Sequence, residues 1–166
     1  LRALPAASLL GVEVQAVSCG LLRSTVASLG LEARVEVREG DLRDEALFAD
    51  DDERFDIVTA NPPYLSPGTA RVSPHPQRAA ARFELHGDVY DYCRVAARRL
   101  APGGVLCLCH AAADPRPPSA VEAAGLAVRE RRDVIFRRGK LPTVAIYVCE
   151  HGGADAVKQR IQQIGD

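Results

Sequence analysis

The chain has 166 residues, of which 47% are hydrophobic and 26% are charged, an ordinary size and composition for a single domain with a real core. Its formal net charge at pH 7 is −1, which excludes a global electrostatic footprint for nucleic acid. Any binding of RNA or DNA would therefore come from local basic patches.

The five cysteines are odd in number and lie in apolar runs rather than in loops. We therefore expect reduced core residues and a cytoplasmic protein. The sequence shows no charged and apolar leader and no apolar run long enough to span a bilayer. On this basis we expect neither secretion nor membrane insertion. The sequence does not indicate whether the protein forms oligomers.

Residues 9–14 (LLGVEV) are predicted to form a strand, with Glu13 near its carboxyl end. In nucleotide-binding α/β units, a carboxylate at this place accepts hydrogen bonds from ribose hydroxyls. A solvated glutamate at a strand end is the alternative. Residues 17–29 have apolar side chains at helical spacing, and Gly30 follows where a helix would end.

Residues 34–38 (RVEVR) alternate polar and apolar side chains, which predicts the next strand, and Gly40 and Asp41 follow directly. The Asp41 carboxylate is therefore expected at the same sheet edge as Glu13. There it would accept a hydrogen bond from an adenine amino group. A turn-forming aspartate is the alternative.

Residues 55–60 (FDIVTA) predict a short strand buried on both faces, and Asn61, Pro62, Pro63 and Tyr64 follow it. Two prolines cannot continue a sheet ladder, so we expect a stiff, extended loop at the carboxyl end of the strand. The Asn61 side-chain oxygen and the Pro62 carbonyl would accept both hydrogens of a planar NH2 group, while Tyr64 offers a stacking face. A structural Pro-Pro turn is the alternative.

Residues 65–86 form a long polar connection that carries Arg71, Arg78 and Arg82. A connection of this length inside a domain is often functional, and its arginines are candidates for contacts to phosphates. An ordinary surface loop with a short helix over residues 77–84 is the alternative.

Apolar spacing predicts a helix over residues 88–100 and a buried strand over residues 105–109. Cys107, Cys109 and His110 lie in or next to this strand. A single Cys-x-Cys without a second cysteine pair is far short of a zinc site, so we predict no metal.

A short helix is predicted to begin at residue 117 and to end at Gly125, followed by strands over 126–136 and 143–149 that form an antiparallel hairpin. Between Arg129 and Lys140 there are six basic and two acidic residues. This segment is either a nucleic-acid patch or a solvated hairpin. The absence of G-x-S-x-G, Walker and H-E-x-x-H motifs leaves hydrolase, P-loop and zincin hypotheses without support.

Residues 9 to about 149 resemble the class I S-adenosylmethionine (SAM) dependent methyltransferases with an Asn-Pro-Pro-Tyr motif, in particular the bacterial tRNA-Val adenine-N6 methyltransferases. The resemblance is carried by four stretches: NPPY at 61–64, Pro67-Gly68, PQR at 76–78 with RFEL at 82–85, and LAPGG at 100–104. It implies an α/β fold with a Rossmann-like sheet in three layers, mostly parallel, with an antiparallel C-terminal hairpin strand.

The resemblance also implies roles for individual residues. Glu13 would bind the ribose of SAM and Asp41 its adenine, with Leu42 and Asn61 completing the cofactor-binding set. The catalytic loop would be Asn61, Pro62, Pro63 and Tyr64. The RNA substrate would contact Tyr64, Arg71, Arg78 and Arg82.

The related proteins have a first strand and a glycine-rich loop ahead of the position of Leu9, and no G-x-G-x-G occurs there. We therefore expect residues 1–150 to be an N-terminally incomplete methyltransferase domain and residues 151–166 a loosely attached C-terminal tail. A binding module without catalytic activity is one alternative function.

The resemblance implies methylation of the exocyclic N6 amine of an adenine in RNA, with tRNA as the expected substrate. A second alternative is methylation of a glutamine N5 amide in a protein, as by the release-factor type of enzyme. Those sequences usually have an acidic residue and proline after the motif, whereas this loop carries arginine and histidine.

Overall fold

The computed structural model describes residues 4–50, 52–152 and 158–164. The strands are β1 (Leu9–Glu13), β2 (Val35–Glu39), β3 (Phe55–Ala60), β4 (Leu100–Ala111), β5 (Leu126–Ile135), β6 (Val144–His151) and β7 (Lys158–Gln163). The helices are α1 (Ala16–Ser28), α2 (Pro76–Ala80), α3 (Val89–Arg99) and α4 (Arg116–Ala123), with a 3-10 turn at Glu45–Leu47. The predicted α/β class is confirmed, and the chain forms two compact units, Leu1–Asp51 and Asp52–Asp166.

The first unit is a β-α-β element. β1 and β2 pair in parallel, from Leu9 opposite Val35 to Glu13 opposite Glu39, and α1 connects them. The helix buries Cys19 and Val26 and ends before Gly30, whose φ of 63° is readily adopted only by glycine. The predicted strand, helix and strand are all present.

The second unit is a five-stranded sheet in the order β3-β4-β6-β5-β7. β3 runs parallel to β4, and β7 runs parallel to β5. β6 lies between β4 and β5 and is antiparallel to both, which confirms the predicted hairpin.

The core of the second unit lies where α3 and α4 pack on the central strands. It is built from Val89, Cys93, Ala96, Leu100, Leu106, Leu108, Ala120, Val121, Leu126, Ala145, Tyr147 and Cys149. α3 begins at a capping box, in which the Asp88 carboxylate accepts from the Asp91 backbone and the Asp91 carboxylate accepts from the Asp88 backbone. No described helix is long and apolar enough to cross a bilayer.

The prediction that residues 55–60 are buried on both faces is wrong. Among the described strands β3 pairs only with β4, which makes it an edge strand of this sheet. Asp56, Ile57 and Thr59 are exposed, Ile57 by 54%. An apolar run alone does not distinguish a central strand from an edge strand.

The prediction of a loosely attached tail is also wrong over residues 158–163. This stretch forms β7, which pairs with β5 from Lys158 opposite Glu130 to Gln163 opposite Ile135. Its sequence, KQRIQQ, has a single apolar residue and so lacks a strand pattern. Residues 153–157 and 165–166 of the predicted tail lie outside the described residues.

Candidate active site

The carboxyl ends of β1 and β2 bring Glu13 and Asp41 to one edge of the first unit. The two strands are parallel and in register, and the Gly40 N–H donates to the Glu13 backbone carbonyl at 3.0 Å. Asp41 follows directly after this contact. The placement of both carboxylates at one sheet edge is therefore confirmed, whereas their binding of a cofactor stays a prediction.

The two carboxylates differ in their contacts with the described residues. Glu13 Oε1 accepts from the Gln15 N–H at 2.8 Å, and no hydrogen bond from a described residue occupies Oε2. Asp41 Oδ1 accepts from the backbone N–H of Arg43 at 3.0 Å, and the Arg43 guanidinium pairs with Asp41 Oδ2. Leu42, the residue after Asp41, is half-buried. Ribose hydroxyls and the adenine amine are donors that carboxylate oxygens accept, so this edge is compatible with the nucleoside part of SAM.

The loop of residues 61–64, here called the NPPY loop, leaves the sheet beside the end of β4. Ala60 is paired with Leu108, so the loop emerges next to Cys109 and His110. Pro62 is fully buried, which anchors the loop, while Asn61 is exposed. The stiff loop predicted after β3 is present.

Tyr64 is folded back onto the loop and onto β4. Its hydroxyl donates to Asn61 Oδ1 at 2.7 Å and lies 3.6 Å from Cys109 Sγ. Its ring is 4.7 Å from the His110 ring, with an interplanar angle of 46°. Burial and the contact with Cys109 raise the pKa of Tyr64, so it remains a protonated donor at neutral pH.

This arrangement changes one expectation. The sequence predicts that the Asn61 oxygen is open to a substrate amine, but in the structure the Tyr64 hydroxyl occupies it. A substrate NH2 group would have to replace that hydroxyl. The acceptor is therefore present and satisfied at the same time, as expected for a polar group held in a partly buried loop.

His110 lies beneath Tyr64 and is fully buried. Burial lowers the pKa of its imidazole, the carboxylate of Asp114 raises it, and the nearby Arg116 lowers it again, with a net shift downward. The His110 Nδ1 to Asp114 Oδ2 distance is 3.6 Å, longer than a good hydrogen bond. His110 is accordingly neutral at physiological pH.

Arg116 connects this region to the loop. It pairs with Asp114 at 2.7 Å and with Glu84 at 2.8 Å, and it donates to the backbone carbonyl of Tyr64 at 3.3 Å. Burial raises the pKa of the Asp114 carboxyl, but the hydrogen bonds from Arg116 lower it by more. The net pKa is therefore below the usual value. Asp114 is therefore ionised.

Sequence reasoning did not identify the residues around Tyr64. In the sequence, Cys109 and His110 stand out only as candidate metal ligands. Among the described residues no group of three or more His, Cys, Asp or Glu is placed to hold a metal. A usable signal was Asp114-Pro115-Arg116, a charged pair just after β4. The carboxyl ends of neighbouring parallel strands meet, so β4 was the place to look for partners of the NPPY loop.

The three predicted RNA-contacting arginines, Arg71, Arg78 and Arg82, lie in the connection after the NPPY loop and are exposed. None of them forms an ion pair with any residue that the structure describes. The connection contains α2, shorter than the predicted helix over 77–84, and returns to the loop where Leu65 pairs with Phe83. One segment thus presents three exposed arginines.

The basic hairpin divides into two parts. On its strands, Arg129 pairs with Glu150, Arg131 with Asp133, and Arg132 with Glu130. At its turn, Arg137, Arg138 and Lys140 are exposed. Much of the positive charge seen in the sequence is therefore neutralised locally.

No family model matches the chain. It is 34% identical over 115 residues to 4-amino-L-phenylalanine/4-methylamino-L-phenylalanine methyltransferase of Streptomyces pristinaespiralis, covering 66% of this chain and 37% of that protein. It is 34% identical over 131 residues to the release factor glutamine methyltransferase of Cereibacter sphaeroides, covering 74% of this chain and 45% of that protein.

A third relative is the tRNA1(Val) (adenine(37)-N6)-methyltransferase of Bacteroides thetaiotaomicron. The identity is 30% over 91 residues, which cover 55% of this chain and 35% of that protein. The chain spans less than half the length of each of these three relatives.

Solved structures show the same fold. A predicted O-methyltransferase from Agrobacterium tumefaciens matches with a TM-score of 0.61 at 20% identity, over 95% of this chain and 67% of that one. TrmN from Thermus thermophilus matches with a TM-score of 0.58 at 21% identity, over 89% of this chain and 37% of that one. The fold and the sequence similarities together place the chain in the class I methyltransferases.

Proposed function

We propose that this chain carries the catalytic loop of a SAM-dependent N-methyltransferase that acts on the exocyclic N6 amine of an adenine in RNA, with tRNA as the expected substrate. The observation that carries the proposal is the NPPY loop itself. It is anchored by the buried Pro62 at the carboxyl end of β3 and presents Asn61 at the surface. Such a protein would work in the cytoplasm.

The chemistry asks for acceptors around the amine. The lone pair of an adenine N6 is delocalised into the ring, so the nitrogen is a poor nucleophile. Asn61 Oδ1 and the Pro62 carbonyl would accept its two hydrogens, stabilise the positive charge that grows on nitrogen and favour pyramidal geometry. SAM, when bound, supplies an electrophilic methyl group on a sulfonium. No general base is required, because the alkylated nitrogen loses its proton readily.

The first unit would hold the cofactor. Glu13 would accept from the ribose and Asp41 from the adenine amine, with Leu42 as the third residue of this set. No described residue donates a hydrogen bond to Glu13 Oε2, so this oxygen would be open to a ribose hydroxyl. Asp41 would share its carboxylate with Arg43. These acceptors support a nucleoside ligand.

The names of the three relatives support nitrogen as the acceptor atom. Their names state 4-amino- and 4-methylamino-L-phenylalanine, a glutamine and an adenine N6 as substrates, each of which has a nitrogen bonded to an sp2 carbon. One loop with two acceptors would serve all three chemistries. RNA is supported by two adenine-N6 methyltransferases among the relatives and by the exposed Arg71, Arg78 and Arg82.

Glutamine methylation is the second candidate, and one observation favours it. The similarity to the release factor glutamine methyltransferase has the higher identity and the longer alignment, 34% over 131 residues against 30% over 91. The planar NH2 of an amide would occupy the same acceptors. The exposed arginines of the connection favour RNA over this alternative.

The test is methyl transfer from labelled SAM by the natural protein into total RNA and into total protein, both prepared from a strain in which the gene is deleted. We expect label in RNA, as N6-methyladenosine after digestion. Label in protein as methylglutamine would replace the RNA proposal with the glutamine one. Absence of transfer together with no SAM binding by titration calorimetry would identify a binding module and overturn both.

A further inference from the structure

We propose that Arg116 is a positioning residue for methyl transfer, which fixes the backbone of Tyr64 by bridging it to two acidic side chains. The inference rests on the proposed function, because it concerns the loop that would hold the substrate amine. Neither the sequence motifs nor the names of the relatives assign a role to this arginine.

The guanidinium of Arg116 joins three separate segments of the second unit. Nη2 donates to the Tyr64 carbonyl at 3.3 Å, and Nη1 lies 3.4 Å from the Ser66 hydroxyl. Nη1 is 2.8 Å from Glu84 Oε1, and Nη2 is 2.7 Å from Asp114 Oδ2. The segments after β3, after α2 and before α4 therefore meet at one side chain.

The partners of Arg116 have few other ways to be satisfied. The side chains of Glu84 and Asp114 are only 6% and 13% exposed. Glu84 Oε2 also accepts from the Ser66 hydroxyl at 2.7 Å. Removal of Arg116 would leave two largely buried carboxylates without their cation, and a partly buried charge without a partner is costly.

The geometry requires a guanidinium rather than any cation. A planar fork with several N–H groups contacts two carboxylates, a hydroxyl and a carbonyl at once, which a single ammonium group cannot do. Arginine and lysine at position 116 thus share the charge and differ in geometry. A comparison of Arg116→Gln with Arg116→Lys therefore separates the effect of the charge from the effect of the hydrogen-bonding geometry.

The charge of Arg116 also acts on His110, on which the Tyr64 ring lies. The ionisable groups that act on or contact His110 are Asp114, Glu84, Arg116 and Tyr64. Asp114 and Glu84 raise the pKa of His110, while Arg116 lowers it. Without the arginine the two acids act unopposed, so the pKa of His110 rises and the imidazole becomes charged at a higher pH.

The experiment compares Arg116→Gln and Arg116→Lys with wild type. We expect Arg116→Gln to lower kcat by about 10²-fold, the scale of an ångström-size misplacement, with SAM affinity unchanged within about twofold. The acid limb of its pH–rate profile should move to higher pH. Arg116→Lys should lower kcat while leaving the acid limb where it is, because the charge is retained.

The control is Arg94→Gln on α3. Arg94 makes an ion pair with Asp91 at 3.0 Å, and none of its hydrogen bonds or ion pairs with described residues reaches the loop. We expect its kcat and its acid limb to match wild type. If Arg116→Gln, folded as judged by its melting curve, matches wild type in both, the proposal is overturned.

A second readout needs neither substrate nor activity. In labelled protein, the nuclear Overhauser contact between the Tyr64 and His110 rings should weaken in Arg116→Gln, and the titration of His110 should shift upward. If Arg116→Gln fails to fold, Glu84→Gln removes one ion pair and should weaken the same contact; an unchanged contact overturns the proposal. An inactive wild type would refute the proposed function, while the ring contact still decides whether Arg116 holds the loop.

Discussion

Asn61 has two competing partners for its side-chain oxygen. One is the Tyr64 hydroxyl, which donates to it at 2.7 Å. The other is the proposed substrate amine, which would take the same acceptor. The exchange replaces one hydrogen bond with another, so the oxygen is not left unsatisfied in either state. If the proposed role is right, the loop would keep this acceptor for the substrate without a large cost in stability.

Glu13 gives a direct prediction about the cofactor. Glu13→Ala should weaken SAM binding by more than about tenfold, because a hydrogen bond to a charged group contributes about 1.5–3 kcal/mol. Titration calorimetry on the natural protein measures this. Glu32→Ala, which removes an exposed carboxylate from the loop before β2, serves as the control. Equal SAM affinity with and without the Glu13 carboxylate would show that its assignment is wrong.

At this scale the sequence predicted the polar ends of strands and missed their long-range partners. Glu13, Asp41 and Asn61 each lie at or just after the end of a predicted strand, which local sequence patterns reveal. Arg116 contacts Tyr64 across 52 positions, and Cys109 contacts it across 45. Such contacts depend on which strands are neighbours, which no local pattern specifies.

Among the secondary-structure elements, the contact between β3 and β4 fixes the base of the NPPY loop. β4 approaches β3 closely at Gly104, next to an irregularity in their register. A Cβ at this position would lie 2.9 Å from the Ala101 carbonyl oxygen and 3.0 Å from that of Phe55. Both atoms belong to the backbone and cannot move without disturbing the strands. A glycine is therefore required there.

We predict that Gly104→Ala destabilises the protein by about 1–3 kcal/mol, the usual cost of forcing a group into packed space. Urea unfolding followed by circular dichroism provides the measurement. Gly20→Ala is the matched control, since it adds the same methyl group within α1 with no atom inside 4 Å. It should stabilise by about 0.5–1 kcal/mol. A Gly104→Ala protein as stable as wild type would contradict the close approach.

Two elements were predicted almost to the residue. The predicted helix over 88–100 is α3, Val89–Arg99, and the predicted strand over 55–60 is β3. The exposure of β3 and the existence of β7 were missed, for one shared reason. Strand neighbours are set by backbone pairing, which a polar sequence such as that of Lys158–Gln163 does not reveal.

At the scale of the whole molecule, the distribution of charge says more about a possible RNA-binding surface than the net charge does. The net charge of −1 hides a segment in which Arg71, Arg78 and Arg82 are exposed and form no ion pairs with described residues. The strand arginines of the hairpin, by contrast, are paired with acids. If RNA is the substrate, the connection after the NPPY loop is the better candidate for contacts to phosphates.

The triple variant Arg71→Ala, Arg78→Ala, Arg82→Ala tests this. RNA affinity should fall, and the slope of log K against log salt should flatten by about 2, since each phosphate contact contributes about 0.7–0.9. SAM affinity should not change. Arg94→Ala, which removes one paired arginine, is the control. Identical salt slopes for the triple variant and wild type would argue against RNA and favour the glutamine alternative.

The central claim, that the NPPY loop holds an amine for methyl transfer, is tested most directly by the turnover of Asn61→Ala. Turnover, SAM affinity and melting temperature are measured together on the natural protein. We predict turnover lowered by about 10²-fold or more, as for loss of one preorganised hydrogen-bonding group, with SAM affinity and stability nearly unchanged. A variant that is destabilised but whose folded fraction is as active as wild type would show that the loop is a structural turn, in contradiction to the proposed function.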